Sequence, residues 1–245
     1  MNELGIVAAL ALELRPLGRA LPRGPNFASL ADGTLLVASG IGPDAAAVGA
    51  RRLAEAGARA LMSWGTAGGL DATLEAGTIC LPSEVVSPEG AVFLTAAEWR
   101  TQLRAAIAAS HPVCDGRLLT CREALASPAE KTSAHRRTAA AAVDMESSAV
   151  AEFAAAHRLP FLAVRAIVDT AGDVVPTGLL AAVAEAGHVS IGRLLGALAR
   201  APAELPALLR LMRRYRAASR GLALVARSGA LAPRDAREFC HADRA

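Results

Sequence analysis

Short apolar runs alternate with segments of helical periodicity over most of the chain. Strands are predicted at residues 5–10, 34–39, 60–64, 77–86, 112–120, 139–143 and 160–168. Helices are predicted at residues 13–18, 44–57 and 96–110, from 127 onward, and at 144–157. Such alternation is typical of a sheet covered by helices. We therefore predict an α/β protein: a single-domain, three-layer α/β/α fold with a mixed, mostly parallel central sheet and a C-terminal helical extension.

The pattern changes near residue 178 and stays helical from there, with a break at Pro202 and Pro206. A helix is predicted from residue 205 to about residue 228, and its first half has a dense arginine face formed by Arg210, Arg213, Arg214, Arg216 and Arg220. Residues 191–245 hold eleven arginines against four acidic residues, a net +7 within a chain of net +3. We predict a catalytic domain at residues 1–200 and a basic helical extension at 201–245.

Composition argues against a membrane-spanning protein, a signal peptide, and a zinc or disulfide framework. Although 53% of the residues are apolar, no uninterrupted apolar run reaches the roughly 20 residues that span a bilayer. The apolar N-terminus has acidic Glu3 where a signal peptide carries basic residues, so a buried first strand is expected. The four cysteines form no CxxC pair, which indicates neither a zinc site nor a disulfide framework. The cysteines are expected to be reduced thiols of a cytoplasmic protein. We expect no metal and no cofactor.

The candidate chemistry lies where predicted strands end. Two glycine-rich segments, 40–42 and 65–69, follow strands and are predicted to be turns. The acidic segment 144–146 and Asp169 also follow strands. Because ligand sites in open α/β sheets lie at the carboxyl ends of strands, these segments are expected to meet at one site.

Five segments in this order, GIVAALALEL, SGIG, GTAGG, VDMESSAVA and VRAIVD, resemble the nucleoside phosphorylase/nucleosidase family over roughly residues 4–195. Within that family the chain looks closest to the methylthioadenosine/S-adenosylhomocysteine nucleosidase branch. The glutamate of that branch's N-terminal motif falls on Glu13, and its Met-Glu pair falls on Met145 and Glu146. The resemblance implies cleavage of the N-glycosidic bond of an adenine nucleoside.

The resemblance also implies roles for individual residues. Asp169 would be the general acid that protonates purine N7, and Glu13 would activate the attacking water. Glu146 would accept hydrogen bonds from the ribose hydroxyls, with Met145 packed on the sugar or base. The remaining residues expected to bind substrate are Thr66, Ala67 and Gly68 in GTAGG, Leu125 at the end of an adenine-contact loop, and Val168 beside the acid.

The nucleophile is predicted from a position at which this chain differs from the phosphorylases of the family. Phosphorylases of the family place an arginine two residues before the GTAGG-type segment, whereas this chain has Ser63 there. Hydrolysis is therefore favoured, while phosphate remains open as a co-substrate held by Arg15, Arg51 or another distant arginine.

Two further departures bear on the substrate. Val168 replaces a hydroxyl usual in the nucleosidases, and the segment after Val86 is shorter than their gating loop, which opens the 5′ end of the pocket. Together with the Arg/Leu tail, these features resemble the hopanoid-associated nucleoside phosphorylase subgroup, whose members are associated with adenine release from adenosylhopane in hopanoid biosynthesis. The tail would then contact the inner face of the membrane as a basic amphipathic helix.

Alternatives remain open at this point: a plain methylthioadenosine/S-adenosylhomocysteine nucleosidase, or a noncatalytic nucleoside-binding protein. Joint presence of Glu13, Glu146 and Asp169 argues against the second. No nucleic-acid partner is expected, because the arginine-rich tail lacks interleaved aromatic residues. The family resemblance suggests a homodimer or higher homo-oligomer.

Overall fold

The computed structural model describes residues 4–18, 27–175 and 205–233. Eleven strands form one sheet: β1 (Leu4–Ala8), β2 (Ala28–Ser29), β3 (Leu35–Ala38), β4 (Ala60–Gly69), β5 (Ile79–Cys80), β6 (Glu84–Val86), β7 (Val92–Leu94), β8 (Val113–Cys114), β9 (Leu118–Thr120), β10 (Ala142–Asp144) and β11 (Phe161–Asp169). The helices are α1 (Ala11–Leu14), continued by a 3₁₀ turn (Arg15–Leu17), α2 (Pro43–Glu55), α3 (Ala97–Ile107), α4 (Pro128–Thr138), α5 (Ser147–Ala156) and α6 (Leu205–Arg227).

The long strand β4 organises the sheet. Its first half pairs in parallel with β1, its last two residues pair antiparallel with β10, and β11 runs parallel to it from residue 61 to residue 68. From β4 the strand order continues through β1 and β3 to β2 on one side, and through β10, β9 and β6 to β7 on the other; β11 leads to β5 and β8. The sheet is thus mixed and largely parallel, which confirms the predicted fold class.

Side chains on the two faces of the central strands form two separate apolar cores. One core contains Val7 and Leu61 and is closed by buried residues of α2 and α5, including Leu53 and Val150. The opposite core contains the neighbouring residues Ile6 and Met62, and it is closed by α3 and α6. Because strand side chains alternate between faces, this division gives the three layers predicted from the sequence.

The glycine-rich segment 65–69 corrects one prediction: it continues β4 and is not a turn. Pairing with β11 along one edge and with β10 along the other satisfies its backbone groups in the extended conformation. Ala166 pairs with Thr66, and a register shift between Ile167 and Asp169 leaves Val168 without a partner. Tertiary pairing therefore overrides the local turn signal of the glycines.

Two predicted strands are each broken in two. Residues 77–86 form β5 and β6, separated by Pro82, and residues 112–120 form β8 and β9, separated by Gly116. A Cβ added at Gly116 would lie 2.5 Å from the Cβ of Ala141, so only glycine fits at this break between the two strands. The short strands β2 and β7 were not predicted.

Helix α6 packs onto the sheet as part of the core. Ala218, Leu222 and Val225 are buried, and a Cβ added at Gly221 would lie 2.9 Å from the carbonyl oxygen of Gly77. After the helix ends, Trp99 Nε1 donates to the Leu231 carbonyl at 3.0 Å. Residues 205–233 thus share one core with the preceding strands. The division at residue 200 stays a prediction, and the predicted helical stretch 178–204 with Pro202 lies outside the described residues.

Within the described ranges, no helix is long and apolar enough to cross a membrane. In the same ranges, no group of His, Cys, Asp or Glu side chains is arranged to hold a metal ion.

Candidate active site

A cavity of about 210 Å³ opens at the carboxyl ends of the central strands. It contains all nine residues that the sequence singled out: Glu13, Thr66, Ala67, Gly68, Leu125, Met145, Glu146, Val168 and Asp169. The wall is completed by Ala9, Leu10, Ile41, Glu123, Ala124, Val143, Asp144 and Val175. These motifs, which are distant in the sequence, therefore lie together at one edge of the sheet, as predicted.

Glu13 is buried and fixed by the backbone around it. Its Oε1 accepts hydrogen bonds from Thr66 N and Thr66 Oγ1, both at 2.8 Å, and its Oε2 accepts from Leu10 N at 3.2 Å. A Cβ at Gly65 would lie 2.7 Å from Glu13 Oε1, so only glycine leaves room for this carboxylate against β4. The first glycine of GTAGG thus creates space for Glu13.

Glu146 lies at the start of α5 and reaches across to the loop after β3. Gly42 N donates to Glu146 Oε1 at 3.0 Å, which gives the glycine segment 40–42 a defined contact in the site. Burial, reinforced by the nearby Asp144 carboxylate, raises the pKa of Glu146 to about 7, although Arg165 acts in the opposite direction. Glu146 can therefore change its charge near neutral pH.

Arg165 lies beneath the cavity and anchors a buried polar network that the sequence analysis missed. Its Nη2 contacts Asp144 Oδ2 at 2.7 Å, Ser63 Oγ at 2.6 Å and Ser147 Oγ at 3.0 Å. Glu146 Oε2 is farther from the same nitrogen, at 3.9 Å. The guanidinium is thus engaged mainly by Asp144 and two serines, and its Nε has no hydrogen-bond partner among the described residues.

Asp169 ends β11 on the opposite side of the cavity. Its carboxyl group lies against the bare backbone of β4, since a Cβ at Gly68 would be 3.0 Å from Asp169 Oδ2. The ammonium of Lys131 contacts the same Oδ2 and also donates to the carbonyls of Thr170, at 2.8 Å, and Asp173, at 3.1 Å. Burial raises the pKa of Asp169, and Lys131 partly offsets that effect.

Lys131 was also missed by the sequence analysis. It lies in the first turns of α4, which begins with a capping box between Ser127 and Glu130. The predicted helix start at residues 127–128 was correct, but nothing in helical periodicity indicates that Lys131 faces Asp169. One signal was present: Lys131 is the only lysine in the chain.

Helix α6 contacts the loop that follows Asp169. Arg214 forms an ion pair with Asp173, in the loop directly after Asp169. Burial and the Glu13 carboxylate both raise the pKa of Tyr215, which is the next residue of the helix. Arg214 therefore does not belong to the free arginine face in which the sequence placed it.

The cavity is strongly acidic. Its lining includes the carboxyl groups of Glu13, Glu123, Asp144, Glu146 and Asp169, and no Lys, Arg or His among the described lining residues. Arg15 instead lines a separate outer groove, and Arg51 is exposed on α2. Residues 87–99, which follow Val86, form β7 with its flanking turns and the start of α3, and none of them lines the cavity.

Comparisons with known proteins show the family of the chain and its fold. Residues 3–200 match the family model described as "Phosphorylase superfamily". Among solved structures, a mutant methylthioadenosine nucleosidase of Helicobacter pylori with 5′-methylthioadenosine in its active site aligns with a TM-score of 0.65 at 19% identity, covering 82% of this chain and 99% of that one.

Two other solved structures share the fold. A methylthioadenosine/S-adenosylhomocysteine nucleosidase from Colwellia psychrerythraea in complex with adenine aligns with a TM-score of 0.60 at 23% identity, covering 80% of this chain and 95% of that one. Futalosine hydrolase of Helicobacter pylori aligns with a TM-score of 0.63 at 19% identity, covering 80% and 97%.

Proposed function

Because the chain belongs to the phosphorylase superfamily, we propose that it cleaves the N-glycosidic bond of an adenine nucleoside by hydrolysis. The observation that carries this proposal is the convergence of Glu13, Glu146 and Asp169 on one cavity, each in a different environment. Base departure needs an acid for the purine, hydrogen-bond acceptors for the sugar and a base for the nucleophile. The three carboxyl groups supply one of each.

These environments suggest a role for each carboxyl group in the reaction. Burial raises the pKa of Asp169 and so favours its protonated form, which would donate a proton to purine N7, so that the base leaves as a neutral molecule. Glu146 accepts hydrogen bonds from the ribose hydroxyls, and Met145 packs beside them. Glu13 takes a proton from the attacking water while Thr66 holds the carboxylate in place.

Water is favoured over phosphate as the nucleophile by charge. The lining offers carboxyl oxygens to the positive charge that develops on the sugar, and none of its described residues is a cation that could hold a phosphate dianion. Arg165, the buried arginine nearest to Glu146, already contacts Asp144, Ser63 and Ser147. It is therefore committed to the protein network.

For the substrate itself we propose adenosylhopane, and thus a role in hopanoid biosynthesis. Val168 and Val175 line the cavity beside Asp169, and the adjacent Val174 is 65% exposed. An apolar edge of this kind suits a nucleoside whose C5′ carries a hydrocarbon skeleton. A small thioether nucleoside is the competing substrate, because the neighbouring folds include enzymes named for methylthioadenosine.

Membrane contact would bring the enzyme to such a substrate, and α6 has a suitable outer face. Leu209 and Met212 are about half exposed, and Arg213, Arg216 and Arg220 follow at helical spacing on the same side. Arg15 joins these arginines in lining one outer groove. Basic and apolar groups together fit the interface of an anionic bilayer.

The activity is tested by measuring adenine release from adenosylhopane, methylthioadenosine and S-adenosylhomocysteine, each with and without phosphate. We expect release without phosphate, fastest from adenosylhopane, and a free sugar product. Glu13→Gln should slow it by about a hundredfold, because a neutral amide is a poor base for water. A strict need for phosphate would disprove the hydrolase assignment, whereas faster release from methylthioadenosine would overturn only the lipid substrate.

Membrane docking is tested separately with vesicles that contain anionic phospholipid. Changing Arg213, Arg216 and Arg220 to Glu should abolish low-salt binding and slow turnover of vesicle-borne substrate, while activity on a soluble nucleoside survives. The control is reversal of Arg51, Arg136 and Arg137, which are exposed arginines on other helices. Equal loss of vesicle binding in both triple variants would show that net charge matters and the α6 face does not.

A further inference from the structure

Lys131 stands out by its chemistry as much as by its position. It is the only lysine among the 26 basic Lys and Arg residues, and it is completely buried. Burying an ammonium is costly unless it is paired and hydrogen-bonded. A lone lysine in such a place therefore calls for a physical reason.

The contacts of Lys131 account for every donor it has. An ammonium group carries three N–H donors, and its Nζ contacts three acceptors: Asp169 Oδ2 and the carbonyl oxygens of Thr170 and Asp173. Lys131 is also absent from the cavity lining, to which Asp169 belongs. It therefore has no donor left for a substrate and acts through Asp169.

Building on the proposed function, we propose that Lys131 is a positioning residue that confines the transferable proton of Asp169 to Oδ1 and stabilises the carboxylate left after transfer. Because the ammonium occupies Oδ2, a proton on the carboxyl group must reside on Oδ1. During reaction the Oδ1–H bond breaks and an N7–H bond forms, while the electron pair of the cleaved C–N bond stays on the purine. The resulting carboxylate is paired with Lys131 at once.

Two opposing effects then set the strength of the acid. Burial raises the pKa of Asp169 and so favours its protonated form, whereas Lys131 lowers that pKa and so makes the carboxyl group a better proton donor. Among the described residues, Arg214 on α6 and Asp173 in the loop also carry charges near this corner, and they pair with each other. Lys131 is thus the cation in direct contact with Asp169.

Replacement of Lys131 by Met tests the proposal through the pH profile. Without the ammonium, the pKa of Asp169 should rise, so the alkaline limb of kcat/KM should move up by about one to three pH units. The acid would also be weaker, so kcat should fall by about tenfold. Lys131→Arg keeps the charge and should restore most of the normal limb position. An alkaline limb that stays in place, or moves down, in Lys131→Met would overturn the proposal.

A second measurement tests the contact between Lys131 and Asp169 without enzymatic turnover. Because the chain has one lysine, protein labelled with ¹³C at lysine Cε gives a single NMR signal from Lys131. We expect this signal to shift as Asp169 titrates, and the shift to vanish in Asp169→Asn. The pairing would be refuted if the chemical shift did not change as Asp169 titrates, or if it titrated like that of a solvent-exposed lysine. If no nucleoside is cleaved at all, the proposed function fails, yet this titration still tests the contact.

Discussion

Two buried pairs of a carboxylate and a cation flank the cavity, and they are built differently. At one side, Lys131 contacts Asp169 directly and gives its other donors to backbone carbonyls. At the other side, Arg165 is 3.9 Å from Glu146 and much closer, at 2.7 Å, to Asp144. Lys131 therefore pairs with Asp169 itself, whereas Arg165 pairs with Asp144 rather than with Glu146.

The difference shows how one protein gives two buried carboxyl groups different electrostatic environments. Burial and the nearby Asp144 carboxylate raise the pKa of Glu146 to about 7, although Arg165 acts in the opposite direction. Burial also raises the pKa of Asp169, but there Lys131, which is in direct contact, partly offsets the effect. Under the proposed function, this difference in environment would separate a hydroxyl-binding group from a proton donor.

The largest expected effect is the loss of activity when Asp169, the partner of Lys131, is replaced. Asp169→Asn should lower adenine release by a factor of about 10² to 10⁴, because an amide cannot donate the proton. The unfolding midpoint should fall, because the buried ammonium of Lys131 loses its carboxylate partner, whereas the circular dichroism spectrum at the assay temperature should match that of the parent. Turnover within about threefold of the parent would remove Asp169 from the role of general acid.

The next effect is on stability at the Arg165 side. Arg165→Met strands the buried Asp144 carboxylate and should lower the free energy of unfolding by about 3–5 kcal/mol in urea denaturation. The matched change is Arg104→Met, which breaks the exposed pair with Asp115 and should cost less than about 1 kcal/mol. Similar losses from the two variants would show that burial does not distinguish these pairs.

A smaller effect concerns pH. The pKa of Glu146 is raised in the folded protein to about 7 from an ordinary 4.5, so its contribution to stability is complete below about pH 4.5 and is lost as pH rises through about 7. The difference in unfolding free energy between the parent and Glu146→Gln should therefore vary between pH 5 and 8, with the parent losing ground as pH rises. A difference that is flat over this window would contradict the raised pKa.

The smallest effect should come from Ser63, which accepts from Arg165 at 2.6 Å. Ser63→Ala removes this acceptor but leaves the contacts of Arg165 with Asp144 and Ser147. We expect a loss of about 1–2 kcal/mol, measured by the same denaturation, because a hydrogen bond to a charged group is being broken. A loss as large as that of Arg165→Met would mean that the serine, and not Asp144, holds the arginine.

Two kinds of reasoning led from the sequence to the cavity. The ends of predicted strands pointed to Glu146 and Asp169, and the family resemblance added Glu13; all three line the cavity. The contacts of Lys131 and Arg214 were not predicted, since their partners lie 38 and 41 positions away in the chain and no local period encodes such contacts. Segment 65–69 was misassigned for a related reason: glycine signals a turn locally, but pairing on both edges extends the strand.

The packing of α6 has a consequence for how the protein is made. The apolar face that contains Ile6, Met62 and Val164 is closed partly by Leu222 and Val225 of α6. A ribosome adds about 5–20 residues each second, so this face waits several seconds for α6. Until then the nascent chain exposes aliphatic surface. The core is therefore completed only after α6 has been synthesised.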